Sequence, residues 1–244
     1  AIDASTLACI QDEHGLLFIY DLDKNSITRQ IPFGADGDYE GVARVNRAIY
    51  ILRSDEVLIE LTDYTSSGSP INFYETGIPG RDAEGLCYDP KNNRLLVAPK
   101  EISSDNPSAQ ATRHIFGFNL ASKTLIKGTV MDFDIRKIEE YAVSNNVKVP
   151  MKGKKGEVKV PDINMKISAI GIHPITYKLY AISGPERLFF VFDMKGNIES
   201  LVRLDKDLFA QPEGITFMPN GDMLISNEGA KGIPTIVRFN YRPK

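Results

Sequence analysis

The stretch Asp38-Tyr39-Glu40-Gly41-Val42-Ala43 recurs along the chain at a nearly fixed interval. Its copies are Asp82-Ala83-Glu84-Gly85-Leu86-Cys87, the degenerate Ser168-Ala169-Ile170-Gly171, and Gln211-Pro212-Glu213-Gly214-Ile215-Thr216. Glu84 follows Glu40 by 44 residues and Glu213 follows Ser168 by 45, whereas 84 residues, nearly two periods, separate Glu84 from Ser168. A repeat of this length indicates one structural unit that is copied several times.

Each repeat contains four short apolar runs, of which the Glu-Gly segment is the first. A turn such as Asp89-Pro90-Lys91-Asn92-Asn93 leads to the second run, and the third ends in an aromatic residue followed by Asp or Asn, as in Phe192-Asp193. The runs are too short for helices and rich in β-forming residues. Four strands per repeat and five copies of the second and third strands predict an all-β fold, a five-bladed β-propeller with four-stranded blades over residues 1–244 as a single domain.

The two ends of the chain lack one strand each. Only four first strands and four fourth strands can be counted, because the first run of blade 1 would precede Ala1 and the chain stops at Lys244. We therefore expect an N-terminal segment that completes the first and last blades and removes an exposed sheet edge. An atypical terminal blade is the alternative.

Two insertions explain the double-length interval. Residues 101–112 form a polar stretch rich in Ser and Asn, which predicts a loop. Residues 134–166 begin with a helical pattern (Ile135, Ile138, Tyr141 and Ala142) and continue into a basic, glycine-bearing segment. This partly helical insertion is interpreted either as a lid over one end of the propeller or as a solvated loop.

Composition is that of an ordinary globular protein, with 42% hydrophobic and 25% charged residues and a net charge of −3. Basic residues are dispersed except at Lys152, Lys154 and Lys155, so nucleic acid is not an expected partner. No apolar run has the length of a membrane-spanning helix. Cys9 and Cys87 lie in apolar runs without metal-ligand spacing, which favours buried, inert thiols over a disulfide.

The recurring glutamates are the first candidate site. In a propeller the first strand of each blade lines the central channel, so Glu40, Glu84 and Glu213 should form a ring, which Ser168 interrupts. Converging carboxylates repel unless they bind protons, backbone amides or a cation. Oxygen ligands would favour calcium, held by Glu40, Glu84 and Glu213. The alternative is that each glutamate accepts backbone N–H bonds from a neighbouring blade.

A second acidic series follows the second strands of the blades. These residues should face one mouth of the channel or its rim, and they are Asp12 and Glu13, Asp55 and Glu56, Glu101, Glu186, and Asn227 and Glu228. Such a negative mouth suits a cation or a cationic ligand, although solvated loop carboxylates are an equal interpretation. Arg53, Lys100 and Arg187 lie beside this series, and we expect them to neutralise it, with binding of an anionic ligand as the alternative.

No nucleophilic constellation emerges from the sequence. His14, His114 and His173 are far apart and belong to different contexts, so each is interpreted as structural, with His173 as a turn residue. No glycine-rich segment has the strand-loop-helix setting of a phosphate-binding loop. The sequence therefore assigns no catalytic residue.

The Glu-Gly segments at Asp38, Asp82 and Gln211, together with Gln11-Asp12-Glu13 and Leu224-Ile225-Ser226-Asn227-Glu228, resemble the SdiA-regulated family of bacterial β-propellers. The likeness covers nearly the whole chain outside the insertion. It implies a periplasmic or cell-surface location, often behind a signal or lipoprotein peptide and so a lipid anchor outside this segment, and no settled activity. Ser168, in place of a glutamate, departs from a complete carboxylate ring.

Two functional hypotheses follow. The first is a binding module, expected to be monomeric, whose acidic channel holds a small ligand, a cation or a protein partner. The second is a calcium-dependent hydrolase of the lactonase or phosphoesterase type, in which calcium at the glutamate ring polarises a substrate oxygen. We favour the first, since no catalytic group has a matching partner.

Overall fold

The computed structural model describes residues 1–101, 111–229 and 232–243, except the side chains of Arg81 and Glu101. Five small antiparallel sheets form a ring, which confirms the predicted five-bladed β-propeller. Most of the polar insertion at 101–112 lies outside the described residues.

The strands of each blade follow one another in the chain and pair antiparallel. Blade 1 comprises β1 (Thr6–Cys9), β2 (Leu16–Asp21) and β3 (Ser26–Pro32), and blade 2 comprises β4 (Tyr39–Val45), β5 (Ala48–Arg53), β6 (Val57–Leu61) and β7 (Ile71–Glu75). Blade 3 comprises β8 (Arg81–Asp89), β9 (Arg94–Glu101), β10 (Thr112–Asn119) and β11 (Thr124–Asp134). Blade 4 comprises β14 (Ile167–Ile172), β15 (Leu179–Ser183), β16 (Leu188–Phe192) and β17 (Ile198–Arg203), and blade 5 comprises β18 (Pro212–Phe217), β19 (Met223–Asn227) and β20 (Thr235–Phe239).

Blades 1 and 5 have three strands each within the described residues, as the strand count of the sequence predicts. Blade 1 packs directly against blade 5, where Leu7 contacts a buried cluster with Met218 and Leu224. The amine of Ala1 donates to Thr216 Oγ1 of β18 at 2.5 Å, and Arg44 Nη1 of β4 donates to the carbonyl of Ile2 at 2.5 Å. The first two residues therefore lie between the inner strands of blades 5 and 2. The N-terminal segment expected to complete both blades stays a prediction.

The inner strands β4, β8, β14 and β18 pack side by side around the axis. The glycine of the Glu-Gly repeat stands at the closest approach between them. A Cβ atom at Gly41 would lie 2.7 Å from Leu86 Cβ, and one at Gly85 would lie 2.9 Å from Ala98 Cβ. The obstacle at Gly41 belongs to the next inner strand, β8, and the obstacle at Gly85 belongs to β9 of the same blade, so the glycine recurs because the adjacent strands leave no room for a side chain.

Gly41→Ala should therefore lower the free energy of unfolding by about 1 kcal/mol, because the added methyl group overpacks the contact with Leu86. The chain has no tryptophan, so far-ultraviolet circular dichroism in urea is a suitable measurement. Glu75→Ala, at an exposed position of β7, is the control and should have almost no effect. Equal stability of Gly41→Ala and the parent protein would contradict this packing argument.

The insertion at 134–166 begins with helix α1 (Ile135–Ser144) and contains the short strands β12 (Met151–Lys152) and β13 (Val160–Pro161). Asp134 caps the helix by accepting the Arg136 N–H. Ile138 and Ala142 are buried in the core shared by blades 3 and 4, and the helix contacts the outer strands β11 and β17. The helical part is thus packed against the outer sides of two blades, which differs from a lid across the channel.

Both cysteines are free, as the sequence predicts. Burial raises the pKa of Cys9 to about 11 and also raises the pKa of Cys87, so both thiols stay protonated near neutral pH. Among the described residues, no helix has the length and apolar character needed to cross a membrane.

Candidate functional site

The same backbone irregularity occurs in all four inner strands. The pairing register with the second strand shifts by one residue at Glu40, Glu84, Ser168 and Glu213. A β-bulge leaves one residue unpaired and redirects its side chain. The repeated glutamate position is therefore the bulged residue of every inner strand, which the sequence repeat alone does not reveal.

Glu84 is the most deeply placed carboxylate of the ring, with only 6% of its surface exposed. Burial raises its pKa, although Lys100 opposes this effect by donating a hydrogen bond from Nζ to Glu84 Oε1. Lys100 belongs to β9, the second strand of the same blade. The ammonium group of Lys100 therefore lies among the channel carboxylates, which agrees with its predicted neutralising role.

Glu40 shows the largest perturbation of the ring. Its pKa is raised to about 8, first by burial and then by the negative charges of Glu84, Asp38 and Asp12, while Lys100 has the opposite effect. A carboxyl group with this pKa is mostly protonated at neutral pH. The site thus contains both carboxylates and a carboxylic acid.

Glu213 completes the group from blade 5. Burial raises its pKa, a hydrogen bond from Gln211 Nε2 to Oε1 (2.7 Å) lowers it, and the charges of Glu228 and Asp12 raise it further. Lys100 also lowers the pKa of Glu213. The charges of the glutamates from blades 2, 3 and 5 thus act on one another or share the charge of Lys100, while their role as a ligand-binding ring stays a prediction.

Asp12 is a minor member of the acidic series in the sequence, yet its charge acts on both Glu40 and Glu213. It follows β1 in blade 1, whose described residues provide no inner strand. Asp12 therefore places a negative charge of blade 1 within electrostatic reach of Glu40 and Glu213. The acidic Gln11-Asp12-Glu13 segment could have indicated this role. Blade 1 has no described inner strand, however, so Asp12 cannot be matched to a position of the Glu-Gly repeat.

Ser168 takes the bulge position of blade 4 and has a structural role. Its hydroxyl group lies 3.3 Å from the carbonyl of Ile182 and 3.1 Å from that of Pro212, and it accepts the Gly184 N–H at 3.2 Å. A serine here joins blade 4 to blade 5 and adds no charge. The bulge position therefore holds a glutamate in blades 2, 3 and 5, whereas in blade 4 it holds an uncharged serine that contacts blade 5.

The second acidic series does not act as one group. Asp55 forms a two-pronged ion pair with Arg53 at 2.7 and 2.9 Å, and Glu186 accepts the N–H groups of Asn164 and Met165, both at 2.9 Å. Glu186 also accepts a hydrogen bond from Ser183.

The other members of this series differ from one another in their surroundings. Glu13 is exposed, and its carbonyl accepts the Gly37 N–H. Glu228 acts on Glu213, and the side chain of Glu101 lies outside the described residues. Of the flanking cations, Lys100 and Arg53 neutralise neighbouring acids, while Arg187 Nε has no hydrogen-bond partner among the described residues.

The three histidines are separated in space as well as in sequence. His14 pairs with Asp36 and His114 with Asp132, both at partly or fully exposed positions. His173 is buried, and its Nδ1 accepts the N–H groups of Ile175 and Thr176, as expected of a turn residue. Within the described ranges, no three His, Cys, Asp or Glu side chains converge closely enough to hold a metal ion. Calcium binding at Glu40, Glu84 and Glu213 stays a prediction.

No protein-family model matches the sequence, and no curated protein matches it. Among solved structures, the chain is similar to a protein of unknown function from Bacteroides caccae, with a TM-score of 0.53 and 13% identity over 98% of this chain and 69% of that chain. A second protein of unknown function, from Bacteroides thetaiotaomicron, gives a TM-score of 0.53 and 12% identity over 93% of this chain and 51% of that chain. At these identities the likeness shows a shared propeller-like fold and nothing about activity.

Proposed function

We propose that this chain is an extracytoplasmic binding module whose channel mouth binds an organic cation. The observation that carries the proposal is the position of the Lys100 ammonium group, which donates a hydrogen bond to Glu84 while its charge also acts on Glu40 and Glu213. Carboxylates that bind the ammonium group of Lys100 in this way can also bind an ammonium group of a ligand.

The charge balance of the mouth supports a cationic ligand. Among the described residues, Lys100 is the cation whose charge acts on the three glutamates, and the acids that belong to this group or act on it are more numerous: Asp12, Asp38, Glu40, Asp82, Glu84, Glu213 and Glu228. A cleft lined by one sign of charge concentrates ligands of the opposite sign. The carboxylates are also spread over several blades, which suits a ligand with separated ammonium groups better than a compact metal ion.

The location and the family are part of the same proposal. The Glu-Gly segments resemble the SdiA-regulated propellers, and this resemblance is the support for a periplasmic or cell-surface protein. We further propose that the module acts as a monomer. The calcium-dependent hydrolase is retained as the competing hypothesis, because its support is limited to the same carboxylates.

Isothermal titration calorimetry with putrescine, a diamine, tests the proposal. We expect binding that weakens by about tenfold in Glu213→Gln, because one carboxylate partner of the ammonium group is lost. Affinity should rise between about pH 6 and about pH 8.5, because Glu40 loses its proton while the amines stay charged. Glu75→Gln, on the exposed outer strand of blade 2, is the matched control and should bind as the parent does.

Butanediol and calcium chloride are the comparison titrants. Equal binding of butanediol and putrescine, or no binding of putrescine at either pH, would refute the organic-cation site. Calcium binding that is lost in Glu213→Gln, without putrescine binding, would favour the hydrolase hypothesis instead.

A further inference from the structure

A groove on the outer side of blade 4 is separate from the channel. It runs between β17 and the segment that follows α1, and it contains an open cleft of about 540 Å³. A second cleft of about 290 Å³ continues it toward β12 and β13 and shares Asn146 and Val147 with the first. We call this surface the β17 groove.

Apolar side chains line the β17 groove and are open to solvent. Val143 at the end of α1 is 62% exposed, Met151 of β12 is 49% exposed and Val202 of β17 is 47% exposed. Leu201 and Val149 are buried at its base. A contiguous exposed apolar surface of this kind is typical of a binding site.

The rim of the groove is basic. Lys148 and Arg203 line the cleft, and both are exposed and form no ion pair within the part of the chain that the structure describes. Lys154, Lys155 and Lys159 are exposed in the segment between β12 and β13, whose Met151 and Pro161 line the second cleft. Lys152 is paired with Asp162 at 2.9 Å. Asp205 lines the cleft, and Glu157 is the acid that lies among the lysines of the segment between β12 and β13. In a chain of net charge −3, this concentration of positive charge favours an anionic partner.

The edge of β17 supplies main-chain hydrogen-bonding groups to the groove. β17 is the terminal strand of its sheet. Leu204 N–H donates inward to the Arg187 carbonyl, whereas the Glu199 carbonyl faces outward and accepts the Tyr141 hydroxyl at 2.9 Å. Since strand residues alternate, the main-chain groups of Leu201 and Arg203 also face outward, toward the cleft.

We propose that the β17 groove binds an extended polypeptide segment of alternating acidic and apolar residues, which adds to β17 as a fifth strand. The strand edge pairs with the backbone, the exposed valines pack against alternate apolar side chains, and the lysines and Arg203 bind the carboxylates. The apolar lining and the strand edge favour a polypeptide over a nucleic acid, which would engage the basic rim alone.

Fluorescence anisotropy with a labelled peptide of about nine residues, alternating glutamate and valine, tests this proposal. We expect saturable binding that weakens as salt is added. A lysine-valine peptide and a polyglutamate peptide of equal length should both bind at least about tenfold more weakly. Because only alternate residues of an added strand bond to its neighbour, N-methylation of one alternate set should abolish binding, while methylation of the other set should leave it nearly unchanged.

Val202→Glu should weaken binding of the glutamate-valine peptide by about tenfold, because it places a negative charge in the groove. Ile27→Glu is the matched control, since Ile27 has a similar exposure (50%) on the outer strand of blade 1. Circular dichroism establishes that both variants are folded. Equal binding of polyglutamate, tighter binding of a single-stranded DNA oligonucleotide, equal effects of both methylation patterns, or full affinity of Val202→Glu would each overturn the proposal.

Discussion

Glu60→Ala should lower the free energy of unfolding by about 3–5 kcal/mol, a far larger loss than we expect from Gly41→Ala. Glu60 lies in β6 and is 7% exposed. Its carboxylate accepts hydrogen bonds from Tyr50, Tyr74 (2.6 Å) and Lys123 Nζ (2.6 Å). Lys123 belongs to blade 3 and also donates to the Tyr50 hydroxyl, so the alanine variant would remove the carboxylate that accepts from one cation and two hydroxyl groups at a contact between blades.

The ionised state of Glu60 depends on these donors. Burial alone would raise its pKa, but the hydrogen bonds from Lys123, Tyr50 and Tyr74 outweigh burial and hold the pKa below its usual value. A lowered pKa contributes stability above the unfolded value, and this contribution is lost as the pH falls through the folded value. The stabilising effect of Glu60 should therefore be present at neutral pH and decline in acid.

Urea unfolding at neutral pH measures the effect, with Glu75→Ala as the exposed control in the neighbouring strand. Lys123→Met and the double variant complete a mutant cycle, in which the loss from both changes should be clearly smaller than the sum of the single losses. A loss below about 1 kcal/mol in Glu60→Ala, or additive losses in the cycle, would show that the contact is not stabilising.

The repeat of about 44 residues was sufficient to predict the fold. Its Glu-Gly segments became inner strands, its aromatic-Asp or aromatic-Asn segments became third strands, and the missing strands were assigned to blades 1 and 5. These features depend on local patterns of apolar and turn residues, which a single sequence displays directly. The equivalent positions of Glu40, Glu84 and Glu213, each at the bulge of an inner strand, also followed from the same repeat.

The chemistry of the site could be predicted less completely from the sequence than the fold could. The bulge at Glu40 and its equivalents is a property of strand pairing, and the role of Lys100 depends on which side chain reaches Glu84 in space. Glu186 belongs to the acidic series by position but binds the N–H groups of Asn164 and Met165. Sequence position cannot distinguish a carboxylate that binds the backbone from one that faces a channel, because both occur at the end of a strand.

The acidic mouth also has a cost to stability, which predicts how the protein responds to pH. The pKa of Glu40 is raised to about 8, from an ordinary value near 4.5 in the unfolded chain. The folded state therefore holds this proton more tightly than the unfolded state does. This contribution to stability is complete below the unfolded pKa and is lost as the pH rises through about 8.

We accordingly expect the free energy of unfolding to fall by about 2 kcal/mol more between about pH 5 and about pH 9 in the parent protein than in Glu40→Gln. Glutamine imitates the protonated acid at every pH, so the variant should match the parent in acid and exceed it in base. Urea titrations followed by circular dichroism at both pH values measure this difference, with Glu75→Gln as the control that should keep the parent's dependence. Parallel pH profiles for Glu40→Gln and the parent would mean that Glu40 ionises freely. The proposed cation site would then lack the carboxylic acid whose proton loss is expected to strengthen binding at higher pH.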